Sequence, residues 1–424
     1  MRSRRVGIRG RELIVAATFA AACSAGRTPD DQALEGSPSA SAAAQSDADP
    51  LVVPYDPAFF SQRAKLLERL RSSPFAYFRY LAAPYARLVC KEYADEVARM
   101  PTVNLHGDAH LEQYAVADDG FGLVDFDDAT KGPPLLDWLR FATSIWLAAP
   151  DEASAEYAIL RFLDGYRKGL EDPAAVLTAR EPAAARRIRE GFNTTPAEWL
   201  DQVSSLIQPL DARSRETMER ARARYVAAML EQNPTLPPDF FSLKIGGALK
   251  MGIGSAHEAK FLVRVEGPTS APDDDVILEK KQMKHELLGN CVRGDAPTRV
   301  IDAQAKFSRG PQRLLGYVEV DGSGFYVHAW RVHYTELRID DIRGRDELAE
   351  LTYDVGLQLG RGHPMHAVDD PRGKEERREI LLALDSVATS LFEEARGLAD
   401  RTKRGFQRFR AASETAAPGF VYRP

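Results

Sequence analysis

Two short runs of this chain hold side chains whose types and spacing suit phosphoryl transfer. Asn104-Leu105-His106-Gly107-Asp108-Ala109-His110-Leu111-Glu112-Gln113 has the form His-Gly-Asp, four residues, then a side-chain amide. Leu123-Val124-Asp125-Phe126-Asp127-Asp128 sets a carboxylate after apolar strand residues. Moving a phosphoryl group takes an aspartate beside the attacking hydroxyl, and an amide and a second aspartate to hold Mg²⁺ against the phosphates. Asp108 fits the first role, with His106 beside it as a catalytic candidate. Asp125 is the main candidate metal ligand, with Gln113 and Asp127 as further ones. Taken singly the pieces are weak, since a Gly-Asp is usually a turn and an acidic strand end is usually a solvated loop. Their close succession, followed by Gly132-Pro133-Pro134 and Asp137-Trp138-Leu139-Arg140, is a stronger signal. His106 and His110 stand at i, i+4, a zinc spacing only on a helix, which the Gly-Asp between them interrupts.

The elements that must position these residues are mostly helices in the first half. Phe59, Leu66, Leu67 and Leu70 fall on one apolar face, and Ser73-Pro74 opens another helix as cap and first turn. The aromatics Phe75, Tyr77, Phe78 and Tyr80 read as core. Helical patterns continue over Asp137 to Leu147, Tyr157 to Leu170 and Arg213 to Leu230, until Pro234, Pro237 and Pro238 punctuate the chain. The second half changes character. A glycine-rich turn from Gly246 to Ala256 is followed by β-prone Ala259 to Val265, then by the strand pattern Val276-Ile277-Leu278-Glu279-Lys280-Lys281. Glycines let backbone N–H groups approach phosphates, so Gly252, Gly254 and Ser255 are phosphate-covering candidates, and a lysine one strand later can neutralise the phosphates. Alternation lets only one of Lys280 and Lys281 face that cleft, and Lys281 is the choice. Its acidic partner is open among Glu286, Glu279 and Glu319. A helix over Arg299 to Phe307, a hairpin around Asp321-Gly322-Ser323-Gly324, and helices over Leu348 to His363 and Ile380 to Phe409 complete the pattern. His363 and His366 read as structural or surface residues.

At 424 residues, 44% hydrophobic and 28% charged, the chain is long enough for a large core, and its net charge of -6 gives no reason to expect nucleic acid as a partner. The N-terminus has arginines 2, 4, 5, 9 and 11, a short apolar stretch from Leu13 to Phe19, then Ala20-Ala21-Ala22-Cys23. That is the layout of an export signal, and Cys23 after small residues resembles a lipoprotein signal, with Ala20 where leucine is usual. Export with a lipid anchor at Cys23 is the expected location, and a cytoplasmic protein with an uncleaved start is the alternative. Cys23, Cys90 and Cys291 are the only cysteines, so no disulfide framework is expected. The expected divisions are 1–23 signal, 24–52 Ala/Ser/Pro-rich tether, 53–235 helical lobe, 236–335 β-rich lobe and 336–424 C-terminal helices.

The chain resembles an uncharacterised bacterial family, domain of unknown function 2252 (DUF2252). The likeness rests on Ser73-Pro74-Phe75 with Arg79, His106 to Leu111, Asp125 to Ala129, Gly132-Pro133 with Asp137 and Arg140, Gly252 to Ser255, Leu278 with Lys281, Arg299-Val300 with Gln304, and Gly356 to His363. Gln113 stands where that family usually has asparagine, and Tyr80 where glycine is common. The family is in turn similar to aminoglycoside-phosphotransferase-like kinases. That resemblance implies an α+β, two-lobed protein-kinase-like fold, with a large helical lobe, a small antiparallel-sheet lobe, ATP and Mg²⁺. The glycine turn and lysine follow the catalytic loop here rather than precede it, which a circular permutation would explain if the Gly356 to His363 helix leads to that loop in space. Three functions compete: an ATP- and Mg²⁺-dependent phosphotransferase on a small-molecule or envelope acceptor, a kinase-like binding module without catalysis, and a metal-dependent phosphoesterase built on His106, Asp108, His110 and Asp125. The acceptor and the oligomeric state are not legible.

Overall fold

The computed structural model describes residues 49–249, 259–283, 289–294, 298–310 and 312–415. Five short helices come first: α1 (Pro57–Ser61), α2 (Ala64–Ser72), α3 (Pro74–Arg79), α4 (Ala82–Glu92) and α5 (Ala94–Ala98). The Asp56 and Ser73 side chains accept hydrogen bonds from first-turn N–H groups of α1 and α3, both of which begin on proline. Strands β1 (Val103–Leu105), β2 (Tyr114–Ala117), β3 (Gly120–Leu123) and β4 (Thr130–Gly132) follow, then helices α6 (Leu135–Ala148), α7 (Glu152–Glu171), α8 (Ala175–Thr178), α9 (Ala183–Glu190), α10 (Pro196–Ser205) and α11 (Ala212–Gln232). Next come β5 (Leu243–Ala248), β6 (Lys260–Val265), β7 (Val276–Gln282), α12 (Thr298–Phe307), β8 (Gly316–Val320), β9 (Ser323–Ala329) and β10 (Thr335–Glu336). Helices α13 (Gly344–Gly362), α14 (Pro371–Val387) and α15 (Ser390–Thr415) end the described chain. Among the described residues no helix is long and apolar enough to cross a membrane.

The architecture is mixed α+β with antiparallel sheets: β1 with β4, β10-β2-β3, and a five-stranded sheet in the order β5-β6-β7-β9-β8. Alternation along β7 divides its residues between two environments. Val276 and Leu278 join Met218, Tyr225 and Met229 of α11 in one apolar cluster. Ile277 on the other face packs with Leu262 and with Trp199, Leu200 and Val203 of α10. A larger core unites most of the remaining helices with β1 to β4.

Helices α7 and α13 approach until their backbones touch. A Cβ added at Gly165, Gly169, Gly356 or Gly360 would lie 2.1–2.2 Å from a carbonyl oxygen of Tyr353, Leu357, Phe162 or Tyr166 respectively. Only hydrogen fits there. This seam fixes the direction of α13, whose C-terminal end meets the loop after β1.

The expectation of no disulfide support is corrected. Cys90 of α4 and Cys291, which follows β7, form a disulfide across a sequence separation of 201. On the chain-entropy account such a loop closure contributes about 5 kcal/mol. Spacing did not reveal it, because only the folded path returns Cys291 to α4.

Candidate active site

The loop after β1 is held from both sides. The N–H groups of His106 and Gly107 donate to the Asp137 carboxylate at 2.7 and 2.9 Å, and His363 Nε2 reaches the same carboxylate at 3.1 Å. Burial would raise the Asp137 carboxyl, but the His363 hydrogen bond and charge bring it below the usual carboxylate range. Asn104 donates its side-chain amide to the carbonyls of Gly362, His363 and Pro364, and its N–H to His363, so the last turn of α13 ends on this loop. Gly107 sits at φ +85°, where a side chain would strain the turn.

Asp108 is buried, and its two oxygens face different partners. Arg140 Nε donates to Oδ1 at 2.5 Å, with its guanidinium 4.2 Å from the Phe78 ring centre. Gln113 Nε2 donates to Oδ2 at 3.3 Å, and His110 Nε2 lies 3.8 Å from that oxygen. Burial, then the charges of Arg79 and Arg140, press the His110 imidazole well below its ordinary pKa, so it is neutral.

Asp125 follows β3 in the left-handed region, at φ 60°, and opens a short 3-10 turn over Phe126–Asp128. That backbone turn presents Asp125 and Asp127 together. Lys281 Nζ lies 2.5 Å from Asp125 Oδ1 and 2.6 Å from Asp127 Oδ2. Burial would raise Asp125, but Lys281 and Lys260 hold it well below the carboxylate range. Burial would lower Lys281, but Asp125 and Asp127 hold it well above its ordinary value. Each group keeps its charge because the other is present.

Asp108, His110, Gln113, Asp125, Asp127 and Lys281 all line one cavity of about 1070 Å³. His106 does not line it. Its Nε2 contacts the Val124 carbonyl at 3.0 Å and its ring packs on Phe126 and Phe307, so it ties the loop to the segment bearing Asp125 rather than facing a reactant. Gly252, Gly254 and Ser255 lie outside the described residues, as do Glu286 and Cys23. Among the described residues the partners of Lys281 are the two aspartates rather than Glu279 or Glu319. Glu279 lines the cavity but accepts from Trp330 Nε1 at 2.8 Å, with His328 Nε2 at 3.4 Å, and Glu319 is exposed on β8. Burial would raise Glu279, yet His328 and Lys260 bring it to about 2. Lys280 takes the opposite face of β7, and His366 binds Glu376.

Sequence reasoning passed over Lys260 and did not interpret Gln304. Gln304 of α12 is buried on the cavity with its Oε1 unpartnered, and Lys260 enters the same cavity from β6. The period of two could have put Lys260 and Leu262 on one face, but not opposite Lys281, since that takes the register of β6 on β7.

Among the described residues no three His, Cys, Asp and Glu side chains converge to hold a metal alone. Asp125 and Asp127 do converge on one cation, the Lys281 ammonium, so the donor set fits Mg²⁺, which takes one or two carboxylates and completes its shell with phosphate and water. The family described as an uncharacterized protein conserved in bacteria (DUF2252) matches residues 62–244 and 247–412. No curated protein and no solved structure matches.

Proposed function

We propose that this chain, which belongs to the DUF2252 family, is an ATP- and Mg²⁺-dependent phosphotransferase with a circularly permuted kinase-like fold, acting on a hydroxyl of a small-molecule or envelope acceptor. The observation that carries the reading is the meeting of Asp108, Asp125 and Lys281 in one cavity, the last two at 2.5 Å across 156 residues of sequence. A lysine on the third strand of an antiparallel sheet, followed by a helix, is the arrangement kinases use to hold nucleotide phosphates. The end of α13 on the loop bearing Asp108 supports the permutation.

In this reading Asp108 Oδ2 accepts the proton of the attacking hydroxyl, while Arg140 fixes the other oxygen and so the direction of the carboxylate. Gln113 donates to Asp108, which leaves its amide oxygen for the cation. Asp125 and Asp127 would hold Mg²⁺, whose bound form supplies neutralisation of phosphate charge. Lys281 then orients phosphate oxygens. The Cys90–Cys291 bond supports export, since such bonds persist in oxidising compartments. Extracytoplasmic ATP is scarce, and the Lys281 ion pair already satisfies both aspartates, so a non-catalytic binding module anchored at Cys23 is the second reading.

Transfer of labelled phosphate from MgATP to a panel of hydroxyl acceptors tests the first reading, with Asp108→Asn as control. Transfer in the parent, falling at least a hundredfold in the variant, is expected. Transfer that persists in Asp108→Asn removes Asp108 from the chemistry, and MgATP binding without transfer favours the module.

A further inference from the structure

We infer that Lys260 is a second phosphate-binding cation, and that the sheet side of the cavity is built for a ligand carrying at least two linked phosphates. The strand register sets Lys260 directly opposite Lys281, and Lys281 opposite Tyr326, in a row across β6, β7 and β9. The next row on the same face is Leu262, Glu279 and His328. Side chains directly opposite on adjacent strands start about 5 Å apart. Two ammonium groups therefore enter the cavity side by side, and both residues line it.

Their circumstances differ. Lys281 is matched by two carboxylates, so that trio has no surplus positive charge to offer an anion. Among the described residues no carboxylate forms an ion pair with Lys260. The opposite charges that act on it, Glu279 first and then Asp125 and Asp127, are already held, the first by Trp330 and His328 and the other two by Lys281. Burial and the adjacent Lys281 both disfavour its charged form. A half-buried cation without an ion-pair partner of its own costs free energy. An anion entering the cavity removes that cost and bridges the two lysines. A single phosphate must share its one or two charges between both ammoniums, whereas a diphosphate or triphosphate can give each ammonium a phosphate group of its own. The inference rests on the phosphotransferase reading for its ligand class, but needs no catalysis.

Calorimetric titration of the full chain with inorganic tripolyphosphate, ATP and AMP, at two ionic strengths, tests it. Lys260→Met should bind tripolyphosphate and ATP about tenfold to a hundredfold more weakly, the loss of one charge-assisted contact. AMP should change little, and the salt dependence of tripolyphosphate binding should flatten. Lys260→Arg should restore most of the affinity, while Lys91→Met, at an exposed site on α4, should change nothing. Parental affinity in Lys260→Met, an equal loss for AMP, or no binding of tripolyphosphate by the parent would overturn the inference. Circular dichroism and thermal melts of Lys260→Met separate a lost contact from a lost fold. Tripolyphosphate binding without phosphate transfer would keep Lys260 and remove the transferase; transfer that is indifferent to Lys260→Met would do the reverse.

Discussion

Lys280 and Lys281 are consecutive on one strand, equally buried, and physically unlike. Lys281 meets two carboxylates and is held charged well above its ordinary pKa. Lys280 points toward α11, its Nζ has no hydrogen-bond partner, and burial followed by the charge of Arg222 lowers it from 10.5 to about 7. Partners, not depth, decide what a buried lysine does. One is part of a site and the other is a load on the fold.

Removing the better-partnered lysine should have the largest effect. Lys281→Met should cut phosphate transfer roughly a hundredfold to a thousandfold. It should also destabilise the protein by about 2–4 kcal/mol, because Asp127 is left buried without its cation, while Asp125 is partly exposed and screened by water. Urea denaturation beside the transfer assay reads both, and unchanged stability would mean that the ion pair does not form.

Lys280→Met should act in the opposite direction. In the parent the unfolded state binds more protons than the folded state between pH 7 and 10.5, so stability rises with pH across that window, and the full penalty applies below it. The variant should be more stable by about 2–4 kcal/mol at pH 6. That gain should shrink toward nothing near pH 10.5. Denaturation midpoints from pH 6 to 10 check this, and parallel curves for parent and variant would erase the contrast between the lysines.

Asp127→Asn sharpens it on a smaller scale. Lys281 keeps Asp125, so the cost should be about 1–3 kcal/mol, the range for a hydrogen bond to a charged group. The Mg²⁺ concentration needed for half-maximal transfer should rise. A variant with parental Mg²⁺ dependence would leave Asp125 as the only carboxylate ligand.

The residues of the candidate site were legible where they lie within a few positions of each other. His-Gly-Asp with its amide, and Asp125 with Asp127, are local patterns set by turns, and the structure builds them from two adjacent loops. Alternation restricted the cleft to one of two lysines. It did not name the partners of Lys281, because they come from a loop 156 residues earlier. Lys260, the disulfide and the seating of α10 on the cavity face of the sheet escaped for the same reason, since each depends on how distant segments pair. His106 shows the converse: a motif marks proximity to chemistry without saying which member turns inward.

Helices whose backbones touch, as α7 and α13 do, cannot slip past one another, because any shift would drive side chains into gaps that admit only hydrogen. Asn104 and His363 tie the loop bearing Asp108 to the end of that pair, so one wall of the cavity is a rigid block. The facing wall is the five-stranded sheet, which enters and leaves the fold through the chain segments 233–242 and 330–334. Cys291, ten residues beyond Lys281, is bonded to Cys90 of α4, so the chain that leaves the sheet is fastened covalently to the helical part of the molecule.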